Sequence, residues 1–469
     1  MTFEGSNPSV SVRTIDDLGV DRFDDRPEST KSGRLQGALR DAIRRGVLRS
    51  GDRLPSTRQL AKDLGCSRNV TVEAYDQLGI EGYLDSRVGF GTIVTSRPQR
   101  NAPAHASPAA QRDTTPVIDL SPGLPDLAAF PQREWRRATR DSLDRMTVED
   151  LGYTAQSAAR LRVELSAYLD RVRATSIDPD RMVITSGVSA ALGLVARTLG
   201  GGKPFTVAVE EPGAYGQRAA LRAAGAELEL VPVDDEGIRV DRLSGDVGVV
   251  VVTPAHQYPM GGILSPRRRN ELVEWALSTP DRLIIEDDYD AEFRHHERPI
   301  GSIQGTAPDV VAITNSLSKT IAPALRIGWI ALPPRIAAVV TERSEHEFNA
   351  PDNVQQHALA HLIGNGDYER IIRRRRRTYR SRHDQLAACL ADIDGCTTVG
   401  AAAGIHMTLL LDSQHDDRAI SARLADRGIR VPPLSDYREL AGPPGLVVSY
   451  AGVSSGAITT FADTLAELL

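Results

Sequence analysis

Thr314-Asn315-Ser316-Leu317-Ser318-Lys319-Thr320-Ile321-Ala322-Pro323-Ala324-Leu325-Arg326-Ile327-Gly328-Trp329 sets one lysine between a β-rich run and an apolar stretch. Most lysines sit among solvated residues; this one does not. A desolvated amine has a lowered pKa and, once neutral, condenses with an aldehyde. Ser316 and Ser318 add hydroxyls, and Arg326 adds a two-pronged donor suited to a phosphate. The segment reads as the anchor for a phosphate-bearing aldehyde.

Upstream of Lys319, Leu283-Ile284-Ile285-Glu286-Asp287-Asp288-Tyr289-Asp290-Ala291-Glu292-Phe293 runs from an apolar strand into acidic residues, with Asp287 thirty-two residues before the lysine. Carboxylates at the C-terminal end of such a strand lie where ligands bind in open α/β sheets. Taken alone, the segment also fits a magnesium-binding cluster or a solvated loop. Further upstream, Ile184-Thr185-Ser186-Gly187-Val188-Ser189-Ala190-Ala191 reads as strand, glycine turn and helix start, whose free N–H groups would hold a phosphate. Between these pieces, short apolar strands at 182–185, 205–209, 247–253, 283–287, 310–314 and 329–332 alternate with amphipathic helices. That order predicts a parallel sheet covered on both faces, in one large α/β domain (117–469) with a smaller C-terminal lobe.

The 469 residues are 41% hydrophobic and 25% charged, the balance of a globular protein with a sizeable core. No apolar run reaches the roughly 18 residues a membrane helix needs. The first residues lack the basic flank and apolar core of a secretory signal. Cys66, Cys389 and Cys396 form no CxxC pair, which argues against a disulfide framework and a cysteine zinc site. The chain is therefore expected to be cytoplasmic, with no membrane partner and no metal ligand.

Net charge is −6, yet residues 31–100 hold 13 Lys/Arg against 7 Asp/Glu, so the remainder carries −12. A basic block on an acidic body suggests a nucleic-acid partner for the block. Residues 1–30 read as a mobile tail. In 33–48, Leu35, Leu39, Ile43 and Val47 draw one buried stripe on a helix. Ser56 and Ser67 are natural N-caps of two short helices separated by a turn at Gly65. This is a helix-turn-helix, followed by a two-stranded wing with Arg87-Val88-Gly89-Phe90 at its tip. The second helix of such a motif meets DNA by its N-terminal end. Arg53, Ser56, Thr57, Arg58, Ser67, Arg68, Asn69, Arg87 and Gly89 are the candidate contacts to double-stranded DNA. Residues 97–116, rich in Pro and Ala, read as a linker. The run of five arginines at 373–377 reads as the solvated face of an amphipathic helix, not as a second DNA site.

The string LPSTRQLAKDLGCSRNVTVEAYDQLGIEGYLDSRVGFGTIV (54–94) closely resembles the winged helix of GntR-type bacterial regulators. The glycine-turn, acidic and lysine segments, in this order along the chain, resemble fold-type I pyridoxal phosphate enzymes. Glu211-Pro212-Gly213, Val231-Pro232-Val233-Asp234 and Thr253-Pro254-Ala255-His256-Gln257-Tyr258-Pro259 are further marks. Both signatures in one chain resemble MocR-type regulators. The resemblance implies pyridoxal 5′-phosphate held covalently on Lys319, with Asp287 facing its ring nitrogen and Tyr289 its ring oxygen. Ser186, Gly187, Val188, Ser189, Ser316, Ser318 and Arg326 would line the phosphate, with His256 or Gln257 near the ring. It also implies a homodimer on a DNA operator and an effector that is the cofactor itself, an amine or an amino acid.

Four features depart from the family pattern. Val70-Thr71 reverses its Thr-Val. Ala214 stands where an aromatic stacks on the ring, with Tyr215 next. Val447 replaces the arginine that pairs with an amino-acid carboxylate. Ser157 replaces a glycine after Tyr153. Two rival expectations remain: an active aminotransferase carrying a DNA module, which Val447 disfavours, and a body that has lost the cofactor and only dimerises.

Overall fold

A computed structural model of the chain describes residues 30–87, 91–95, 118–152, 159–203, 205–295, 300–347 and 350–469. The chain divides into two compact units, Met1–Asp113 and Thr114–Leu469. Residues 1–29 of the expected tail, the expected linker 97–116, the wing tip Val88-Gly89-Phe90, and Tyr153 and Ser157 lie outside the described residues.

In the first unit, α1 (Lys31–Arg44), α2 (Thr57–Asp63) and α3 (Arg68–Ile80) precede the antiparallel hairpin β1 (Leu84–Arg87) and β2 (Gly91–Val94). Leu35, Leu39, Leu60, Ala74 and Leu78 fill the core between them. The expected stripe on α1 is corrected at its end. The helix stops at Arg44, Ala42 turns inward, and Val47 is 42% exposed. Ser56 caps α2 by accepting from Gln59 N at 3.2 Å. Ser67 occupies the N-cap of α3 with extended backbone, but its hydroxyl makes no capping bond. Thr71, fully buried, donates its hydroxyl to Thr57 O at 2.8 Å and so ties α3 to α2. The reversed Val-Thr pair thus places the hydroxyl inward, where it has a partner.

In the second unit, β3 (Ile118–Asp119) comes first. Eight strands then form one sheet: β4 (Met182–Thr185), β5 (Phe205–Glu211), β6 (Ala226–Asp234), β7 (Gly237–Ile238), β8 (Val249–Val252), β9 (Leu283–Asp287), β10 (Val311–Ser316) and β11 (Gly328–Ala331). Their spatial order is β4-β11-β10-β9-β8-β5-β6-β7. The inner run from β10 to β6 is parallel. At the edges β11 runs against β10, β4 against β11, and β7 against β6, so the sheet is mixed rather than parallel throughout. The reason is connection length. A parallel return needs a crossover of a dozen or more residues, and the link from β10 to β11 holds only a four-residue helix, Leu317–Thr320, and one 3-10 turn. That short link carries Lys319.

Alternate residues of the inner strands face opposite layers. Val207, Val249, Val251 and Ile285 meet the helix Val188–Gly200, while Ala208, Val250, Val252 and Ile284 share a core with Leu272 and Ala276 of Pro266–Leu277. Both faces are therefore covered, as expected. A C-terminal sheet comprises β12 (Cys396–Val399), β13 (His406–Leu411) and β15 (Gly445–Ser449), and β14 (Ile429–Arg430) pairs with β3.

The arginine run lies on the helix Asp367–Leu390. Arg373, Arg374 and Arg377 are exposed, as the solvated-face reading requires. Arg375 is an exception: it is buried and donates to Asp126 O and Ala129 O, both at 3.2 Å. Its charge is used to brace a loop. Among the described residues, no helix is long and apolar enough to cross a membrane.

Candidate cofactor site and DNA-reading head

Ser316 starts the short helix by accepting from Ser318 N at 3.3 Å, and Lys319 follows on its first turn. Lys319 Nζ donates to Gly123 O at 2.7 Å. Burial lowers the amine's pKa, while Asp287 and Asp290 pull against that. The amine is thus held in low dielectric beside two carboxyls, the setting a condensing amine needs.

Asp287 ends β9 at the C-terminal edge of the parallel run. Burial, reinforced by Asp288, pushes its carboxyl up to about 8, with Lys319 opposing. Its Oδ2 accepts from Gln217 Nε2, but Oδ1 is buried with no partner among the described residues. A buried acceptor left unpaired is costly and marks a place where a donor belongs. A protonated ring nitrogen is such a donor.

The registers Ser316↔Gly328 and Gly328↔Thr185 bring three chain segments to one edge. Beside them the helix Val188–Gly200 starts at Gly187, whose φ of 137° and ψ of 173° suit glycine alone, and no side chain caps it. A Cβ on Gly328 would lie 2.7 Å from Gly187 Cα, so a bare residue at Gly328 allows this approach. Ser186, Gly187 and Val188 are half-buried and Ser189 is exposed. Arg326 is exposed at a left-handed position (φ 51°, ψ 40°) two residues before Gly328. This helix N-terminus is uncapped, with Ser186 and Ser189 on either side of its start and Arg326 two residues before Gly328, and an uncapped helix N-terminus is suited to a phosphate.

Tyr289 is buried with Oη 2.9 Å from His256 Nδ1, and the same nitrogen lies 2.9 Å from Asp290 Oδ2. Gln257 stands apart. Its Nε2 donates to Tyr258 O (2.7 Å), Pro212 O (3.0 Å) and Glu210 Oε2 (3.3 Å), and its Oε1 accepts from Met260 N (3.0 Å), so it braces its own loop and ties it to the end of β5. Of that pair, the structure joins His256 to Tyr289. The residues expected around the cofactor fit it: an unpaired acceptor, a desolvated amine and a glycine-floored anion seat.

Gly123, Gln217 and Asp290 were missed by sequence reasoning. The turn Ser121-Pro122-Gly123 and the acidic run that contains Asp290 are usable signals; Gln217 acts through space and carries none. Val447 is fully buried in β15, so no guanidinium stands at that position. Tyr215 is 70% exposed and does not replace the missing aromatic inside the site.

In the head, Ser67, Arg68 and Asn69 are exposed at the start of α3, and Ser56 and Arg58 are exposed at the start of α2, with Thr57 half-buried. Arg53 lies against Gly91 of the wing, where a Cβ would be 2.8 Å from its Nε. Arg87 falls in β1; its side chain is outside the described residues.

The aminotransferase class I and II family matches residues 115–465, and the bacterial regulatory protein gntR family matches residues 31–94. The pyridoxine biosynthesis transcriptional regulator PdxR of Corynebacterium glutamicum is 33% identical over 408 residues, 86% of this chain and 88% of that one. The probable rhizopine catabolism regulatory protein MocR of Rhizobium meliloti is 32% identical over 462 residues, 93% and 92% of the two chains. The vitamin B6 salvage pathway transcriptional repressor PtsJ of Salmonella typhimurium is 27% identical over 454 residues, 93% and 99% of the two. Among solved structures, an archaeal alanine:glyoxylate aminotransferase superposes with a TM-score of 0.69 at 24% identity, over 76% of this chain and 92% of that one, which shows the fold alone. An amino-terminal helix-turn-helix of gntR type, a fold-type I aminotransferase body and relatives matched over nearly their whole length together place this chain in the MocR-type subfamily of GntR-family transcriptional regulators.

Proposed function

We propose that this chain binds operator DNA through α3 and the wing. Its body holds pyridoxal 5′-phosphate on Lys319 and responds to that cofactor, or to an amine or amino acid. The observation that carries the reading is the half-buried Lys319 amine, its pKa lowered by desolvation, near Asp287, whose Oδ1 is buried and unpaired. When bound, the cofactor supplies an aldehyde carbon that amines compete for. Lys319 anchors it, Asp287 accepts from its ring nitrogen, and Tyr289, beside His256, meets its ring oxygen. Ser186–Ser189, Ser316, Ser318 and Arg326 seat its phosphate. Occupancy shifts the balance between body states in a homodimer, and the two heads then read two half-sites differently.

Regulation rather than turnover is favoured by the buried Val447 and the exposed Tyr215, which leave a substrate without a carboxylate clamp and the ring without an aromatic cover. The direct test is footprinting of the full chain on DNA flanking its own coding region, with and without pyridoxal phosphate. Protection of paired half-sites that changes with the cofactor is expected. Binding that is neither site-specific nor cofactor-dependent overturns the proposal. Complete conversion of an amino donor, with the cofactor cycling to its amine form, establishes the enzyme reading instead.

A further inference from the structure

His256, Asp290 and His406 are 3%, 1% and 2% exposed, and each brings a ligand-type atom within 4.8 Å of those of the other two. They come from a loop, the segment after β9, and the first residue of β13. His406 Nε2 lies 3.0 Å from Pro259 O. A carbonyl only accepts, so Nε2 carries the proton and Nδ1 presents a bare lone pair. That Nδ1 is buried and has no hydrogen-bond partner among the described residues. Gly404, at φ 76°, is bare against both His256 Nδ1 and Asp290 Oδ2; any side chain there would enter the cluster. A cavity of about 160 Å³ adjoins it, lined by both histidines and by Gly261, Gly400, Ala402 and Thr408.

We propose that His256, Asp290 and His406 form a site for a divalent transition ion of the zinc class, with a fourth position open to the cavity. Two imidazoles and one carboxylate are the donor set of an open zinc centre. The backbone carbonyl behind His406 is the outer partner that fixes a metal-binding imidazole in its tautomer. His256 Nδ1 and Asp290 Oδ2, 2.9 Å apart, are already near the ligand spacing of roughly 3.3 Å around a tetrahedral ion. Ligation replaces that contact and the 2.9 Å contact of the same nitrogen with Tyr289 Oη, and gives the lone pair of His406 an acceptor.

The test uses the metal-stripped full chain without pyridoxal phosphate, so its outcome is separate from that of the cofactor reading. Zinc titrated by calorimetry should bind at one equivalent per chain with a dissociation constant of about 1 μM or tighter. Cobalt(II) should give the intense visible bands of a low-coordinate ion. His406→Gln and Asp290→Asn should each weaken binding by about 100-fold. X-ray absorption at the zinc edge of the unaltered chain reads the ligands without any variant and should show imidazole scattering and no sulfur. Binding weaker than micromolar overturns the proposal. So does a sulfur shell from Cys66, Cys389 or Cys396, or folded variants that bind like the parent.

Discussion

Around position 319, chemistry is set by what each polar atom lacks. Lys319 donates to one carbonyl, and Asp287 keeps one carboxyl oxygen unpaired. Lys319→Ala should abolish the pyridoxyl adduct that borohydride fixes on this peptide, read by mass analysis; an adduct that persists elsewhere removes Lys319 from its role. A pH profile tests the carboxyls. Asp287 and Glu292 are pushed up to about 8, chiefly by burial. A carboxyl whose folded pKa exceeds its unfolded one keeps its proton longer in the native chain, so stability falls as pH rises through that window. His406, lowered to about 4, and His295, lowered to about 3, act oppositely, but their contribution is complete above the unfolded value of about 6.5. The cofactor-free chain should therefore lose thermal stability between about pH 7 and 8.5. Pyridoxal phosphate should flatten the decline, because a cationic ring nitrogen stabilises the Asp287 anion. Scanning fluorimetry across pH checks this, and a rising cofactor-free curve contradicts it.

Elements explain why some positions were legible and others were not. The six strand sites show as unbroken apolar runs because both faces of the sheet are covered. β6 was passed over: Ala226–Asp234 interleaves Glu227 and Glu229 with apolar residues, the pattern of a strand only partly buried near a sheet edge. The antiparallel edges were invisible too, since strand direction depends on how far the chain travels between strands. Gly328→Ala should drive a methyl group toward Gly187, disturb the start of the following helix and cost about 1–3 kcal/mol, read as a lowered melting temperature together with weakened cofactor binding. The two caps of the head give a paired test. Ser56→Ala removes a real capping bond and should cost about 1 kcal/mol of head stability. Ser67→Ala removes none and should leave stability nearly unchanged while weakening operator binding. Gel shifts beside thermal melts separate the two; equal losses of stability would refute the distinction.

Over the whole molecule, charge is segregated along the chain: a basic block precedes an acidic body. Operator affinity should fall steeply with salt, with a log–log slope of about −0.9 per phosphate neutralised, and Arg68→Ala should reduce that slope. A slope unchanged by that substitution would take Arg68 off the phosphates. The amino-acid order by itself determined the division into a DNA-reading head and an α/β body, the helix-turn-helix, six of the strand positions and Lys319 as the candidate anchor. These are legible because hydrophobic period, caps and glycine turns act over a few neighbouring residues. Only the tertiary structure decided that Gly123 receives Lys319, that Gln217 holds Asp287, that Gln257 braces a loop, that Arg375 turns inward, and that His256, Asp290 and His406 converge. Those facts depend on residues up to some 250 positions apart meeting across strands and loops, as Asp126 and Arg375 do. No local pattern encodes which distant partner a side chain will find.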